Sequence, residues 1–385
     1  MSGYIFAIAK DSWVDFCEKN LKKGFFTPYV PMVDPSGTDR QVKSTYKVLL
    51  ATFADFVTMQ AGDNIYFLSD RKLYGIGKAV NINVDCKFDN YLNSSALLPN
   101  DRIEETDFLT TRATNARWVC FFKPSPYFFE LGVDMDDVLR YKPNAFKMLR
   151  AFEGLSFIKI DDEENRALKE YIFLENEKAN RSVKKYFDFD DSIHTALQER
   201  DLSPYVLNLG KALNEHDIDE LRSEMLIEAF FLQKAAKGAI PFMDRWDHLT
   251  HQLIASPFKP LKYIDKIDIF GYRFSQQYPD DPKLITKFLI IELKKDKINK
   301  STLEQLMQYV DWICDEYASG DYSLIEAYVL GSDIVRNTAQ VKQDVCQRSY
   351  IVSTHPVVQE KWTNVKLIKY KIEKEDISFE LEELN

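Results

Sequence analysis

The chain predicts an α/β fold divided into two domains. Its 385 residues are more than one ordinary hydrophobic core accommodates and about right for two. In the C-terminal half the patterns run in the order helix, strands, helix, strand, which is typical of an α/β arrangement. Hydrophobic residues make up 45% and charged residues 29% of the chain, so both halves have the composition of folded domains.

The clearest break in the pattern is a polar stretch, ENEKANRSVKKYFDFDD, which runs from Glu175 to Asp191 and lacks sustained apolar periodicity. It follows a helical pattern and separates two regions of regular apolar spacing. We therefore predict a first domain at 1–175, a helical connector at 176–205 and a second domain at 206–385.

The first domain mixes strands and helices. We predict strands at GYIFAIA and RWVCFFKP, and a hairpin of the strands DNIYFLS and KLYGIGKAV with its turn at Asp70, Arg71 and Lys72. Helices are predicted at STYKVLLATFADFVT, at NAFKMLRAFEG and at SWVDFCEKNLKKG. In the last of these, Ser12 is the expected N-cap and Gly24 the expected stop.

The second domain begins with a predicted helix, DIDELRSEMLIEAFFLQK, whose apolar residues form a broad face. The strands KYIDKIDIFGYRF and KFLIIELKKD follow, joined by the turn-rich QYPDDPK. A helix is predicted at STLEQLMQYVDWICDEYASG, where Ser301 and Glu304 match a capping box. SLIEAYVLG is predicted to be a further strand.

Composition excludes several classes of function. A net charge of −10 argues against a protein that coats nucleic acid nonspecifically, although a nuclease with local basic strips stays compatible with it. The five cysteines are scattered and lack CxxC spacing, which favours a reduced cytoplasm and no zinc site. The sequence contains no run of about 18 apolar residues, so we expect no membrane span. Neither GxxxxGK[ST] nor GxGxxG is present, so no nucleotide cofactor is expected.

Charged residues emerge at the ends of two otherwise apolar strands. In Lys287–Lys295, strand alternation places Glu292 and Lys294 on one face, and the preceding strand places Asp268 on a face with Lys266. An antiparallel hairpin would bring Asp268 beside Glu292. Two carboxylates at such a short distance repel each other unless a cation separates them. Mg²⁺ suits this position because it prefers hard oxygen ligands. Lys294 would then hold or deprotonate an attacking water and stabilise charge on a phosphorane.

Each of these residues also has a structural interpretation. A Glu-x-Lys at the end of a strand is often a surface ion pair, and an Asp there is often a turn former. The conjunction of two apolar strands, a hairpin-length link and charges on compatible faces favours the metal site.

The segments KIDIFG and FLIIELKKD, with the helix EQLMQYVDW behind them, resemble the PD-(D/E)xK nuclease superfamily and look most like its RecB-like and NucS-like branch. The resemblance covers roughly Asp217 to Asp333. It implies a restriction-endonuclease-like mixed sheet flanked by helices. Asp268 and Glu292 would be its metal ligands and Lys294 its catalytic lysine.

The same resemblance implies further site residues. Gln305 and Tyr309 match a helical Gln-x-x-x-Tyr that contacts the DNA backbone or orients the site, and their spacing places them on one helix face. For the acidic residue on the preceding helix, Glu224 fits the family better, with Glu228 left open as a surface residue. The literal Pro of the motif is absent, since Ile267 precedes Asp268.

His248 and His251, three residues apart in RWDHLTHQL, complete no ligand set in the sequence. We predict that they are surface or nucleic-acid-facing residues.

The strand and turn patterns of the first domain, including GDNIYFLSDRKLYGIGKAV, are similar to EVE, YTH and other PUA-like β-barrels. That resemblance implies an α+β domain that reads nucleic acid by stacking a base on aromatic rings. The rings chosen as candidates are Trp13, Trp118, Phe121 and Tyr127, each of which is also a natural core residue. Alternation sends Trp118 and Phe121 to opposite faces of their strand, so at most one of them lines a pocket.

Together these features predict a cytoplasmic Mg²⁺-dependent DNA endonuclease of restriction or antiviral defence, with Mn²⁺ as a substitute metal and RNA left open as a substrate. The family resemblance implies a homo-oligomer and a first domain that selects the target. Two alternatives stay open: a structure-specific DNA repair nuclease, and a catalytically silent nucleic-acid-binding protein.

Overall fold

The computed structural model describes residues 2–28, 39–90, 118–151, 157–179, 186–213, 223–254, 266–275, 284–373 and 376–382. The chain divides into two compact units, Met1–Asn208 and Leu209–Asn385. The segment 176–205, predicted as a connector, falls within the range of the first unit.

The first unit is an eight-stranded sheet with helices. Its strands are β1 Gly3–Ala7, β2 Phe25–Phe26, β3 Asn64–Ser69, β4 Lys72–Ala79, β5 Lys87–Asp89, β6 Trp118–Pro124, β7 Val133–Asp134 and β8 Phe157–Ile160. Its helices are α1 Trp13–Phe16, α2 Asp39–Val57, α3 Met135–Tyr141, α4 Asp162–Ala179 and α5 Ser192–Gln198. Single helical turns cover Lys10–Ser12, Cys17–Leu21, Leu149–Ala151 and Ser203–Tyr205.

The strands of this unit pair in the order β2, β6, β4, β3, β1, β8, while β5 pairs with β6 and β7 with β4. Strand β1 runs parallel to β3 and antiparallel to β8, so the sheet is mixed. The pairing agrees with an α+β domain. A PUA-like barrel stays a prediction.

Local sequence signals in the first unit had mixed success. The hairpin of β3 and β4 is confirmed, with Asp70 and Arg71 both in the left-handed backbone region that a two-residue hairpin turn requires. Gly24 also has a positive φ and ends the first helical segment as predicted. Ser12 lies at the N-cap position of α1 as predicted, but its side chain makes no capping bond and a 3₁₀ turn, Lys10–Ser12, precedes the helix. The helix predicted at NAFKMLRAFEG is wrong in its described part, 144–151, which contains only the turn Leu149–Ala151.

Two of the four rings proposed as a base platform are core residues. Trp118 and Phe121 are both 0% exposed. Trp118 packs against Phe53 with ring centroids 5.2 Å apart, and Phe121 packs against Phe88 at 6.1 Å. Both faces of β6 are buried, so packing rather than ligand stacking explains these two rings.

The other two candidate rings lie nearer the surface. Trp13 is partly buried and lies 4.1 Å from the ring of Tyr74, while Tyr127 stacks on Tyr186 at 4.6 Å. The structure therefore does not gather the four predicted rings into one cage.

The second unit is built on a six-stranded sheet and a separate two-stranded hairpin. The strands of the unit are β9 His248–Ile254, β10 Lys266–Phe274, β11 Ile285–Leu293, β12 Ile325–Gly331, β13 Arg348–Thr354, β14 Val357–Trp362, β15 Val365–Glu373 and β16 Asp376–Glu382. Its helices are α6 Leu209–Ala212, α7 Glu224–Ala236, α8 Lys300–Glu316 and α9 Thr338–Val345, with a 3₁₀ turn at Tyr322–Leu324.

The order of the main sheet is β16, β15, β12, β11, β10, β9, and β13 pairs only with β14 in a separate hairpin. Strands β11, β12 and β15 are parallel neighbours, while β9, β10 and β16 pair antiparallel. Helix α8 packs on β11 and β12, and α7 contacts β9 and β16. The unit is therefore a mixed α/β sheet as predicted. The link QYPDDPK lies outside the described residues.

Two helix starts in this unit differ from the prediction. The capping box at Ser301 is wrong: α8 begins one residue earlier, and Asn299 is its N-cap, accepting a bond from the backbone N–H of Thr302. Helix α7 begins at Glu224, because the Ser223 hydroxyl accepts from the backbone N–H of Leu226. In both cases a side-chain acceptor that was not considered sets the start of the helix.

The prediction that His248 and His251 lie on the surface is wrong. Both belong to β9, which pairs with β10, and both are buried. His248 stacks face to face on Tyr272, with ring centroids 4.5 Å apart. The strand was missed because its letters, HLTHQLI, alternate poorly between apolar and polar.

All five cysteines are buried free thiols. Within the described ranges, no helix combines the length and apolar character needed to cross a bilayer.

We predict that Trp118→Ala lowers the free energy of unfolding by about 3–5 kcal/mol, because it empties a fully buried site. Tyr127→Ala is the matched control: its side chain is 46% exposed, so the loss is at most about 1 kcal/mol. Urea denaturation of both variants measures the difference. Equal losses would show that Trp118 is not a core residue.

Candidate metal centre at the β10–β11 strand ends

Three neighbouring strands bring polar side chains to one level of the sheet. Ile269 pairs with Ile291 in β11, so the same register places Asp268 opposite Glu292. On the other side of β10, Ile269 pairs with His251, so Asp268 lies opposite Gln252 in β9. The row therefore reads Gln252, Asp268, Glu292 across β9, β10 and β11, and the predicted juxtaposition of the two carboxylates is present.

Asp268 is half-buried and held from two sides. The backbone N–H of Leu293 donates to its Oδ2 at 2.7 Å, and the Gln252 side-chain amide donates to its Oδ1 at 3.4 Å. Both donors are neutral, so they orient the carboxylate without cancelling its charge.

Glu292 is 1% exposed, which is rare for a carboxylate. Its Oε1 accepts a bond of 2.7 Å from Lys294 Nζ. Its Oε2 is buried and finds no hydrogen-bond partner among the residues that the structure describes. A buried acceptor without a partner is costly, and a bound cation is one way to satisfy it.

Helix α7 adds two further carboxylates. Glu228 is 2% exposed, so the suggestion that it is a surface residue is wrong. One of its oxygens lies 3.3 Å from Nδ1 of His251. Glu224, one helical turn earlier, accepts from the backbone N–H of Lys295 at 3.4 Å. Both belong to the electrostatic surroundings of the strand-end pair, because the charge of Glu224 acts on Glu292 and that of Glu228 on both strand carboxyls.

These charges raise the pKa of both strand carboxyls. Burial raises the pKa of Asp268 well above its ordinary value, and the charges of Glu292 and Glu228 raise it further. Burial raises the pKa of Glu292 to about 7, against the lowering effect of its hydrogen bond with Lys294. Without a cation, the site therefore carries more negative charge than its burial tolerates.

Lys294 stays an ammonium in this setting. Burial alone lowers its pKa, but the hydrogen bond with Glu292 and the nearby carboxylates outweigh that effect and raise the pKa above its ordinary value. Its chemistry in this state is that of a fixed positive charge and hydrogen-bond donor, and not that of a base.

Gln305 and Tyr309 lie on one face of α8 as predicted. The Gln305 side-chain amide donates to the Tyr309 hydroxyl at 3.1 Å. Because Tyr309 is buried, an orienting role suits it better than direct contact with DNA. Whether either residue acts on a substrate stays a prediction.

Asp268 and Glu292 supply only part of the ligand shell that a small hard cation needs. Among the described residues, no group of three or more His, Cys, Asp or Glu side chains is placed to hold a metal ion. Mg²⁺ commonly takes only one or two carboxylates and completes its shell with water and substrate phosphate. Asp268 and Glu292, with the unsatisfied Oε2 of Glu292, fit that pattern.

Two features of this region were not predicted: the position of Gln252 beside Asp268, and the position of His251 beside Glu228. Both residues lie in β9, a strand without a clear alternating pattern, so neither had a signal that tied it to Asp268. Only the pairing of β9 with β10 brings them there.

Comparisons with known proteins add little. No protein-family model matches the chain, and no curated protein matches it significantly. Among solved structures, the crystal structure of a repair endonuclease from Pyrococcus abyssi is 19% identical, with a TM-score of 0.16. The alignment covers 22% of this chain and 31% of that chain, so the match spans about a third of that protein. Because so low a TM-score does not show a shared fold, we base no conclusion on it.

We predict that Glu292→Gln stabilises the metal-free protein at pH 8. The pKa of Glu292 is raised from 4.5 to about 7, so the stability that its neutral form contributes is complete below about pH 4.5 and is lost as the pH rises through 7. Replacing it should raise the free energy of unfolding by about 1–3 kcal/mol at pH 8 and change it little at pH 4.5.

Denaturation in excess EDTA at both pH values measures this effect. Glu316→Gln, at an exposed position near the end of α8, is the control and should change stability by less than about 0.5 kcal/mol at either pH. A Glu292→Gln protein that is less stable than the wild type at pH 8 would contradict the cost of burying an ionised Glu292.

Proposed function

We propose that the second unit hydrolyses phosphodiester bonds in DNA, using a divalent cation held by Asp268 and Glu292. The observation that carries this proposal is the buried Glu292 opposite the half-buried Asp268, with Lys294 bonded to Glu292. Nature rarely buries two like charges side by side without a cation or a shared proton to separate them. The motif resemblance of the same three residues gives the reaction class.

Each residue has a distinct role in this proposal. Asp268, held by its two neutral donors, and Glu292, through its unsatisfied Oε2, supply the oxygen ligands. Lys294 stabilises negative charge that develops on the phosphoryl oxygens, because it is held as an ammonium beside them. When bound, Mg²⁺ or Mn²⁺ supplies Lewis-acid activation of the phosphoryl group and of a water.

Glu224 and Glu228 contribute negative charge behind this pair. Of the two, Glu228 is the more deeply buried and acts on both strand carboxyls. We assign Glu224 the role of the helix carboxylate of the motif, and Glu228 that of a buried partner of His251.

The loop that follows β11 suits a polyanionic substrate. Between Lys294 and Lys300, the sequence KKDKINK carries four lysines against one aspartate, within a chain whose net charge is −10. Lys297 and Lys300 are largely exposed, and each pairs with a carboxylate that phosphate oxygens can replace. A basic strip beside the carboxylates gives DNA backbone a place to bind without an overall basic protein.

Target choice is a separate part of the proposal. We assign it to the first unit, where the ring pairs Trp13–Tyr74 and Tyr127–Tyr186 are candidate surfaces for stacking. Restriction or antiviral defence in the cytoplasm is the proposed setting. A homo-oligomer is the proposed state, since cutting both strands with one site per chain calls for a second copy.

We predict that Lys294→Ala lowers the Mg²⁺-dependent cleavage rate at least about 10²-fold, because it removes the positive charge aimed at the reacting phosphoryl group. Lys371→Ala is the control: this lysine of β15 is 65% exposed and pairs with Glu380 on the neighbouring strand. It should leave the rate unchanged.

The assay uses linear and supercoiled duplex DNA, single-stranded DNA and RNA, with Mg²⁺, with Mn²⁺ and with EDTA. Cleavage of modified duplexes alone would favour restriction, and cleavage of mismatched duplexes alone would favour structure-specific repair. If the wild type cuts none of these substrates, or if Lys294→Ala cuts as fast, the chain is no nuclease of this type and the silent binding protein becomes the better account.

A further inference from the structure

Gln252 has a backbone conformation that a side-chain-bearing residue in a strand rarely adopts. Its φ is +54°, in the left-handed region, although the residue lies inside β9. That conformation costs free energy for any residue except glycine, and it persists where surrounding contacts impose it. Gln252 lies opposite Asp268 in the register, between the pairs Leu253–Ile267 and His251–Ile269.

The side chain of Gln252 meets Asp268 in a specific way. Its Nε2 donates to Oδ1 of Asp268 at 3.4 Å, while the Leu293 N–H occupies Oδ2 on the other side. An amide is suited to this position, because a lysine would neutralise the carboxylate and a glutamate would repel it. A neutral donor fixes the direction of Asp268 and leaves its charge available for a cation.

The residue before Gln252 is tied to α7. His251 lies with Nδ1 3.3 Å from the Glu228 carboxylate, and both side chains are buried. This contact lies directly beside the unusual backbone of Gln252. Strand β9 thus pairs with β10 and also contacts α7.

We propose that Gln252 is a positioning residue that holds Asp268 in its metal-binding orientation. This inference rests on the proposed function of Asp268 and Glu292 as cation ligands. It adds a third strand to the site and assigns a role to a residue outside the motif.

Replacement of Gln252 separates this role from a structural one. Gln252→Gly removes the amide and also relieves the backbone cost, because glycine adopts a positive φ freely. We expect about 10-fold weaker Mn²⁺ binding, with a melting temperature of the metal-free protein equal to or above that of the wild type. Gln252→Leu keeps the side-chain volume without the donor and should weaken Mn²⁺ binding similarly.

The experiment is calorimetric titration of the full chain with Mn²⁺ in the absence of DNA, together with thermal unfolding in EDTA. Asp268→Asn identifies the part of the binding that belongs to the site. Gln359→Leu, at an exposed glutamine of β14, is the control and should bind Mn²⁺ as the wild type does.

The outcomes distinguish the two levels of the proposal. If the wild type binds no Mn²⁺ that Asp268→Asn removes, the metal centre fails and the role of Gln252 fails with it. If that binding is present but both Gln252 variants retain the wild-type affinity, only the role of Gln252 is overturned. A loss of affinity that occurs only together with a matching loss of stability also overturns it, because a merely structural residue behaves in that way.

Discussion

The placement of two carboxylates opposite each other on adjacent strands is the constraint on which the candidate site depends. The antiparallel register of β10 and β11 places Asp268 opposite Glu292 where the two strands meet the level of the site. Burial raises the pKa of each carboxyl. The charge of Glu292 raises the pKa of Asp268 further, and the acidic residues of α7 also raise the pKa of both. Such a pair lowers stability in the metal-free state, and under the proposed function cation binding offsets that cost.

The surroundings of the pair limit that repulsion without removing it. Lys294 brings a full positive charge, and it bonds one oxygen of Glu292. The remaining donors, from Leu293 and Gln252, are neutral and act on Asp268. Asp268 is therefore oriented by donors that do not cancel its charge, which suits the binding of a divalent cation.

Much of this centre could be predicted from the sequence, because it depends on strand periodicity and on the short link between two consecutive strands. Alternation alone put Glu292 and Lys294 on one face, and the hairpin brought Asp268 to them. Gln252 and His251 could not be found in that way. Their strand, β9, has weak alternation, and its neighbour is decided by tertiary packing against α7 and β10.

The same distinction explains the errors elsewhere. Asn299 competes with Ser301 as an acceptor for the first turn of α8, and only the backbone geometry decides which of them caps it. The aromatic residues of the first unit gave no guide to exposure, since Trp118 and Tyr127 are chemically similar candidates and one is core while the other is half exposed. Side-chain type predicts the kind of contact. Whether a ring faces a ligand or the core depends on the rest of the fold.

Anomalous diffraction from crystals grown with Mn²⁺ tests the metal centre most directly. We predict one strong anomalous peak within about 2–2.5 Å of oxygens from both Asp268 and Glu292. The peak should disappear in Asp268→Asn crystals. An empty position between the two carboxylates at millimolar Mn²⁺, with both side chains well ordered, would contradict the account.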